Sequence, residues 1–169
     1  YTTLFRSGLK LAPTNLDIRN TAGSAIDQVL IGNVYEGLVA RDEHNQVVPA
    51  IAKTWDVSDD GTTYTFHLND GMTFSNGDKL DADDVAWSIN ELVTKQYHDA
   101  DSLVNFVSVK ASDPNTVELK LSAPYANLLW VLTGRPGLVF DKDAKYDAKT
   151  QAIGSGPYTV EKFVTNSSI

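Results

Sequence analysis

The sequence predicts a mixed α/β fold, and three observations lead to that class. Apolar residues recur at steps of three and four in some segments and alternate at a period of two in others. Turn-forming Gly, Pro, Asn and Asp residues separate these segments. The chain has 169 residues, of which 42% are hydrophobic and 21% are charged, and this composition is close to the globular average. Together they indicate a folded domain in which helices and strand pairs interleave.

Three segments have the helical spacing, each with a capping signal at or near its start. They are 24–39, 81–93 and 122–132. In the first, Ile26, Leu30 and Val34 lie on one face, which is typical of a helix that packs against a core. In the second, the Asp81 carboxylate can cap the helix start.

Five strands are predicted, from period-two alternation or, at 138–140, from a short apolar run. They are 63–68, 106–109, 116–121, 138–140 and 158–163. The turn signal Asp59-Asp60-Gly61 precedes the first of them and predicts a hairpin there. A second strand pair is expected about the turn at 113–115.

The charge balance excludes several classes of partner. There are 22 acidic and 14 basic side chains, so the net charge is −8 and the pI is about 4.7. A nucleic-acid binder needs a basic surface that displaces counterions from phosphate, and no Lys or Arg cluster supplies one. The longest apolar run, 128–132, is far shorter than the roughly 20 residues that cross a bilayer. We therefore expect no nucleic-acid partner, no anionic membrane partner and no transmembrane helix.

The spacing rules of common catalytic and metal sites fail in this sequence. The three histidines are dispersed and form no His-x-x-x-His pair. The stretch 56–61 resembles the first half of a calcium loop, but the twelfth position is His67 instead of a bidentate Glu. Gly154-Ser155-Gly156 lacks the Gly-x-Ser-x-Gly spacing of a nucleophile elbow. We expect no enzyme, no metal and no cofactor. A calcium-dependent carbohydrate module or a hydrolase domain, resting on the acidic turns alone, stays open.

What remains is a candidate binding surface without a reactive group. Arg135 is one of four arginines and lies in a Gly/Pro loop between an apolar helix and an apolar strand. Its guanidinium could present a fork of donors to a ligand carboxylate, and an ordinary surface charge is the alternative. The loop 11–17 would carry small polar groups at the mouth of a cleft.

Seven short strings occur in an order that is typical of one family. They are VYEGLV at 34–39, PAIAKTW at 49–55, SDDGTTYTFHL at 58–68, DGMTFSNG at 70–77, ADDV at 82–85, LSAPY at 121–125 and IGSGPY at 153–158. With them, residues 9–164 resemble the family 5 extracellular solute-binding proteins. These are the dipeptide, oligopeptide and nickel-chelate receptors of ATP-binding-cassette importers.

The resemblance implies an incomplete fold, the N-terminal lobe of a periplasmic-binding-protein-like (type II) fold without its C-terminal lobe. The implied segments are 1–38 for the first part of the base domain, 39–152 for an inserted domain and 153–169 for the return to the base domain. Residues 1–7 match nothing in the family and would be non-native or fragment sequence. Trp55 and Trp87 would belong to the core of the inserted domain. Because the base domain would lack partner strands, we expect the apolar face of its first helix to be exposed.

The resemblance also implies a function, the substrate-binding component of an ATP-binding-cassette importer. Such a protein captures short peptides outside the cytoplasm and delivers them to the membrane permease. The alternative within the family is a nickel-chelate or oligosaccharide receptor. We expect a monomer in the periplasm or, as a lipoprotein, on the outer face of the cell membrane. The implied ligand-binding residues are Pro13, Thr14, Asn15, Gln28 and Arg135, the last of which would bind a carboxylate of a peptide or an organic chelator.

Overall fold

The computed structural model describes residues 12–165, so the expectation for residues 1–7 lies outside the described residues. The helices are α1 (Ser24–Leu30), α2 (Ala82–Lys95) and α3 (Leu128–Val131). The strands are β1 (Val39–Arg41), β2 (Val47–Pro49), β3 (Ala52–Val57), β4 (Thr63–Leu68), β5 (Phe106–Asp113) and β6 (Thr116–Leu121). Short 3-10 turns occupy Ala100–Ser102 and Arg135–Gly137. The mixed α/β class is confirmed.

Strands β3 to β6 form one antiparallel sheet in the order β3-β4-β6-β5, and β1 and β2 form a separate two-stranded ribbon. The two predicted strand pairs are confirmed. Trp55 of β3 lies opposite Phe66 of β4, and Ala111 of β5 lies opposite Val117 of β6. Buried and half-buried side chains alternate along β4, as the period of two requires when one face of a sheet is covered.

Helix α2 covers that face and begins where the sequence predicts. The Asp81 carboxylate accepts a hydrogen bond from the Asp83 N–H at 3.0 Å. The Asp84 carboxylate in turn accepts one from the Asp81 N–H at 3.1 Å, which completes a capping box. The buried face of the helix, which includes Val85 and Ile89, packs against β5 and β6. The predicted second helix is therefore confirmed.

Helix α1 ends at Leu30, so the prediction of a helix to residue 39 is wrong. The next residue, Ile31, is extended, and Gly32 has a φ of +74°, a conformation that favours glycine. The Asn33 side-chain amide donates to two carbonyls of the last helical turn, at 3.1 and 3.2 Å. The apolar spacing of the helix continues to Val34 in the sequence, because Val34 is buried although it lies in the turn after the helix.

Three further predicted elements are shorter or do not form. The helix predicted at 122–132 is only the single turn α3. The segments predicted as strands at 138–140 and 158–163 belong to no strand. They cross the stretch 33–37 and make isolated contacts with it, such as Val139 N–H to the Glu36 carbonyl, instead of a ladder.

Buried residues form two clusters. The first lies between the sheet and α2, and Trp55 packs against it. The second consists of Leu16, Ile18, Ile26, Leu30, Val34, Tyr35, Leu138, Phe140 and Ala152. The expectation that the apolar face of the first helix is exposed is therefore wrong, because Leu138 and Phe140 return from far along the chain to cover it. Trp87, expected in the core of the inserted domain, packs against this second cluster.

Candidate functional site

The loop that precedes α1 is held in shape by its own side chains. The Asn15 Oδ1 atom accepts hydrogen bonds from the backbone N–H two residues on and from the Thr21 hydroxyl, both at 2.8 Å. Leu16 and Ile18 are buried in the second cluster, at 0% and 2% exposure. These anchors fix the position of the residue that follows them, Arg19, which is half-buried.

Arg135 fastens this loop to the rest of the protein. Its Nε atom donates to Oδ1 of Asp27 in α1 at 2.7 Å. Its Nη1 atom donates to the carbonyls of Ile18 and Thr21, each at 2.7 Å, and Nη2 donates to the carbonyl of Gly23 at 3.3 Å. The side chain is only 7% exposed. A guanidinium has five N–H donors, so four of them are used inside the protein.

The predicted contact of Arg135 with a ligand carboxylate stays a prediction. A bidentate contact needs two parallel N–H groups that point at the ligand, and the hydrogen bonds to the loop and to Asp27 use four of the five. What the structure does show is a clamp that sets the course of the loop before α1.

The segment after α2 faces the same loop. Helix α2 ends at Lys95 and is capped by Gln96, which is left-handed with a φ of 53°. The turn brings the His98 N–H to 3.0 Å from the backbone carbonyl of Arg19, where it donates a hydrogen bond. Asp99, also left-handed with a φ of 67°, continues the turn. The stretch 96–101 is therefore fixed beside the loop by the backbone.

A cavity of about 520 Å³ opens between these two segments. It is lined by Arg19, Asn20, Gln96, Tyr97, His98, Asp99, Ala100 and Asp101. Its volume lies in the range of roughly 300–1,000 Å³ that is usual for small-molecule sites. The lining carries one arginine, one histidine and two carboxylates, so the cavity offers groups of both charge signs.

Arg19 contacts three aromatic rings that form a cage, and one of these rings, Tyr97, also lines the cavity. Its guanidinium carbon lies 4.8 Å from the centre of the Phe140 ring, 5.2 Å from Tyr97 and 6.0 Å from Trp87. Such contacts stabilise a cation by about 0.5–1 kcal/mol each. Within residues 12–165, its side chain forms no hydrogen bond and no ion pair within 4.0 Å. Among the residues that the structure describes, none therefore accepts a hydrogen bond from the Arg19 side chain beside the cavity.

The other predicted site residues do not line this cavity. Pro13 is buried, Thr14 is exposed, and the Asn15 side chain serves the loop itself. Gln28 lies on the exposed face of α1. The lining includes none of them, nor Arg135, so their contact with a ligand stays a prediction.

The sequence patterns do not predict Arg19 or the stretch 96–101 as site residues. A local signal existed for Arg19, because the alternation of Leu16 and Ile18 with polar residues places it directly after two buried anchors. No local signal exists for its pairing with His98, since the two lie far apart in the sequence and meet only through the fold.

Asp99 also lines a second cavity, of about 380 Å³. Trp130, which is 38% exposed, borders it, and the Arg41 guanidinium carbon lies 4.6 Å from the centre of the Trp130 ring. The lining of this second cavity thus includes the Arg41–Trp130 pair and Arg135.

In the acidic turn 56–61, which left a calcium module open as an alternative, the carboxylates of Asp56 and Asp60 form contacts within the protein. Asp60 Oδ1 accepts from the Ser58 hydroxyl at 2.6 Å and from the N–H and hydroxyl of Thr62 at 3.1 and 2.8 Å. These bonds lower the pKa of the Asp60 carboxyl. Asp56 instead pairs with His67, Oδ2 to Nε2 at 2.9 Å. In the part of the chain that the structure describes, no three His, Cys, Asp or Glu side chains are grouped to hold a metal ion.

Comparison with known proteins finds a matching family model and several relatives. The family model "Bacterial extracellular solute-binding proteins, family 5 Middle" matches residues 46–169. The peptide transport periplasmic protein SapA of Salmonella typhimurium is 29% identical over 172 residues, covering 85% of this chain and 31% of SapA. The nickel-binding periplasmic protein of Escherichia coli is 32% identical over 141 residues, covering 79% of this chain and 27% of that protein.

Among solved structures, the Escherichia coli murein tripeptide binding protein MppA has the same fold. It superposes with a TM-score of 0.80 at 24% identity, covering 94% of this chain and 35% of MppA. This likeness confirms the periplasmic-binding-protein-like (type II) fold and its incompleteness. The chain spans about a third of the length of the curated relatives that it matches. Between residues 12 and 165, no helix has the length and apolarity to cross a membrane.

Proposed function

Because the chain belongs to the family 5 bacterial extracellular solute-binding proteins, we propose that the full protein captures short peptides outside the cytoplasm and delivers them to a membrane permease. The permease would be that of an ATP-binding-cassette importer. The single observation that carries the proposal is the cavity of about 520 Å³ between Arg19 and the stretch 96–101.

The charges of this cavity fit a peptide. A short peptide carries an ammonium at one end and a carboxylate at the other. Arg19 offers a cation, and Asp99 and Asp101 offer carboxylates in the same lining. Opposite charges that face both ends of a ligand fix its orientation. A peptide-transport relative, SapA, supports the same ligand class.

The two buried clusters support the proposed division of the chain. We propose that residues 1–38 and 153–169 belong to a base domain and 39–152 to an inserted domain. Most residues of the second cluster lie in 1–38, and Ala152 of this cluster directly precedes 153–169. The sheet and α2, which form the first cluster, lie in 39–152. Leu138 and Phe140 cross the proposed boundary, because they lie in the inserted segment and pack in the base cluster. The cavity lies at this junction, and a second lobe would close over it by hinge motion.

A nickel-chelate receptor is the second candidate, and a nickel-binding relative that is 32% identical favours it. The metal would arrive inside an organic chelator whose carboxylates bind the protein, and the chelator would be anionic. Asp99 and Asp101 in the lining would repel such a ligand, so we favour the peptide.

The remaining parts of the proposal follow the family. The relatives that match are solute-binding proteins, and we propose the same non-catalytic role for this chain. We also propose a monomer on the extracytoplasmic side, anchored as a lipoprotein or free in the periplasm. Its partner would be the permease.

The test uses the full-length protein that contains this chain. It is equilibrated with short peptides from a casein digest, and in a parallel sample with nickel plus histidine, and the retained ligand is measured by native mass spectrometry. We expect peptides to be retained. Retention of nickel–histidine alone would favour the second candidate, and retention of neither would contradict both.

A further inference from the structure

We propose that Arg19 is the residue that binds the carboxylate of the ligand, and that the receptor therefore selects ligands with a free carboxylate. This inference rests on the proposed function and deepens it. It differs from the prediction made from the sequence, which gave that role to Arg135.

The first argument is the contrast between the two arginines. Arg135 is 7% exposed, its charge is balanced by Asp27 at 2.7 Å, and four of its five N–H groups are used. Arg19 has no ion pair within 4.0 Å and no side-chain hydrogen bond among residues 12–165. A half-buried guanidinium without hydrogen-bond partners is costly, and an incoming carboxylate removes that cost.

The second argument is the geometry of the aromatic cage. Phe140, Tyr97 and Trp87 hold the guanidinium through ring contacts at 4.8 to 6.0 Å. A guanidinium is planar and its N–H groups lie in that plane, so stacking on rings leaves its edges for other partners. The cage orients Arg19 at low cost in entropy and keeps its donors for a ligand.

The third argument is location. Arg19 lines the cavity of about 520 Å³, whereas Arg135 lines the second cavity of about 380 Å³. Both border a small internal gap of about 10 Å³, so the two cations are neighbours. The Nε atom of Arg135 lies 2.7 Å from Asp27 and 3.9 Å from Asp99, whereas Arg19 has no ion pair within 4.0 Å among residues 12–165. Among the described residues, Arg19 is thus the one of these two cations that no bonded carboxylate balances, and it lines the larger cavity.

The experiment compares free and blocked carboxylates in the full-length protein. Casein-digest peptides are supplied either untreated or methyl-esterified, which removes the carboxylate charge, and retained peptide is quantified after dialysis. The wild type should retain untreated peptides roughly tenfold or more over esterified ones, as expected for loss of one charged hydrogen-bonded pair. Arg19→Met should abolish that preference, and Arg19→Lys should keep part of it.

Arg41→Met is the matched control, because Arg41 also stacks on an aromatic ring but lies outside the 520 Å³ cavity. It should keep the full preference for untreated peptides. Melting curves of each variant report folding, and Arg19→Gln replaces Arg19→Met if the latter does not fold. Equal preference in wild type and in the folded Met or Gln variant would overturn the role of Arg19 and leave the proposed function intact. Retention of no peptide by the wild type would overturn the proposed function itself.

Discussion

The Nε atom of Arg135 lies 2.7 Å from Oδ1 of Asp27, and this ion pair joins the loop after α3 to the first helix. The guanidinium also holds three backbone carbonyls of the loop before α1. We expect Arg135→Met to reduce the free energy of unfolding by about 3 kcal/mol, because it leaves one buried carbonyl, two partly buried carbonyls and a carboxylate without their donor. Urea denaturation measures the change.

Arg135→Lys is the control for charge in that experiment. A lysine keeps the positive charge but cannot reach four acceptors in the fixed geometry of a guanidinium. Its stability should lie between those of the wild type and Arg135→Met. A Met variant as stable as the wild type would show that the clamp contributes nothing to the fold.

Two glycines that flank Arg135 differ sharply in the space around them. A Cβ atom at Gly137 would lie 1.8 Å from the Leu132 carbonyl oxygen, whereas at Gly134 the nearest atom would be at 3.5 Å. Gly137→Ala should therefore lower stability by about 3 kcal/mol or more, since backbone must move. Gly134→Ala should change it by less than about 1 kcal/mol. Melting temperatures of the two variants measure this difference. Equal values would contradict the close approach of Gly137 to the Leu132 carbonyl oxygen.

The cap of α2 gives a smaller and more local prediction. Removing the Asp81 carboxylate leaves the Asp83 N–H without its acceptor. We expect Asp81→Ala to cost about 1 kcal/mol, whereas Asp81→Asn, which keeps an oxygen acceptor, should cost less. Chemical denaturation followed by circular dichroism measures both. Equal losses in the two variants would argue against the hydrogen bond as the cause.

Asp141 predicts how stability depends on pH. Desolvation by burial raises the pKa of its carboxyl, but hydrogen bonds from the Asn76 amide at 2.8 Å and from the N–H groups of Asp143 and Ala144 outweigh it, so the pKa is lowered. A carboxyl with a lowered folded-state pKa stabilises the fold above its unfolded pKa of about 4. That stability is lost as the pH falls below about 4.

The matching experiment measures unfolding of wild type and Asp141→Asn between pH 7 and pH 2. The variant should be less stable at pH 7. The difference in free energy of unfolding between wild type and variant should narrow as the pH falls below about 4. The control is Asp59→Asn, because Asp59 is exposed and its side chain has no hydrogen bond in the described residues. This variant should change the free energy of unfolding only slightly at every pH. A gap that stays constant with pH would contradict the lowered pKa.

The sheet and α2 could be predicted from the sequence because their signals are local. Tyr64, Phe66 and Leu68 alternate within one strand, and Asp81 and Asp84 lie within one helical turn of each other. The strings that resemble the family are also local, and the family that they indicate is confirmed by the match to its model.

The end of α1 and the cavity could not be predicted in the same way. Val34 continues the apolar spacing of α1, but it is buried by segments that return from far along the chain, such as Leu138 and Phe140. Arg135 was predicted as a ligand contact because its loop is rich in Gly and Pro. The carbonyls of Ile18 and Thr21 that it binds lie more than a hundred residues away in sequence, and no pattern indicates them.

The most direct test of the proposed peptide site is hydrogen exchange of the full-length protein, measured by mass spectrometry with and without casein-digest peptides. We expect the amides of residues 97–101 to exchange more slowly when peptide is bound, because they line the cavity beside Arg19. Amides 108–112 of β5, at the edge of the sheet, should not change. Peptide binding with unchanged exchange at 97–101 would contradict the assignment of this cavity as the binding site.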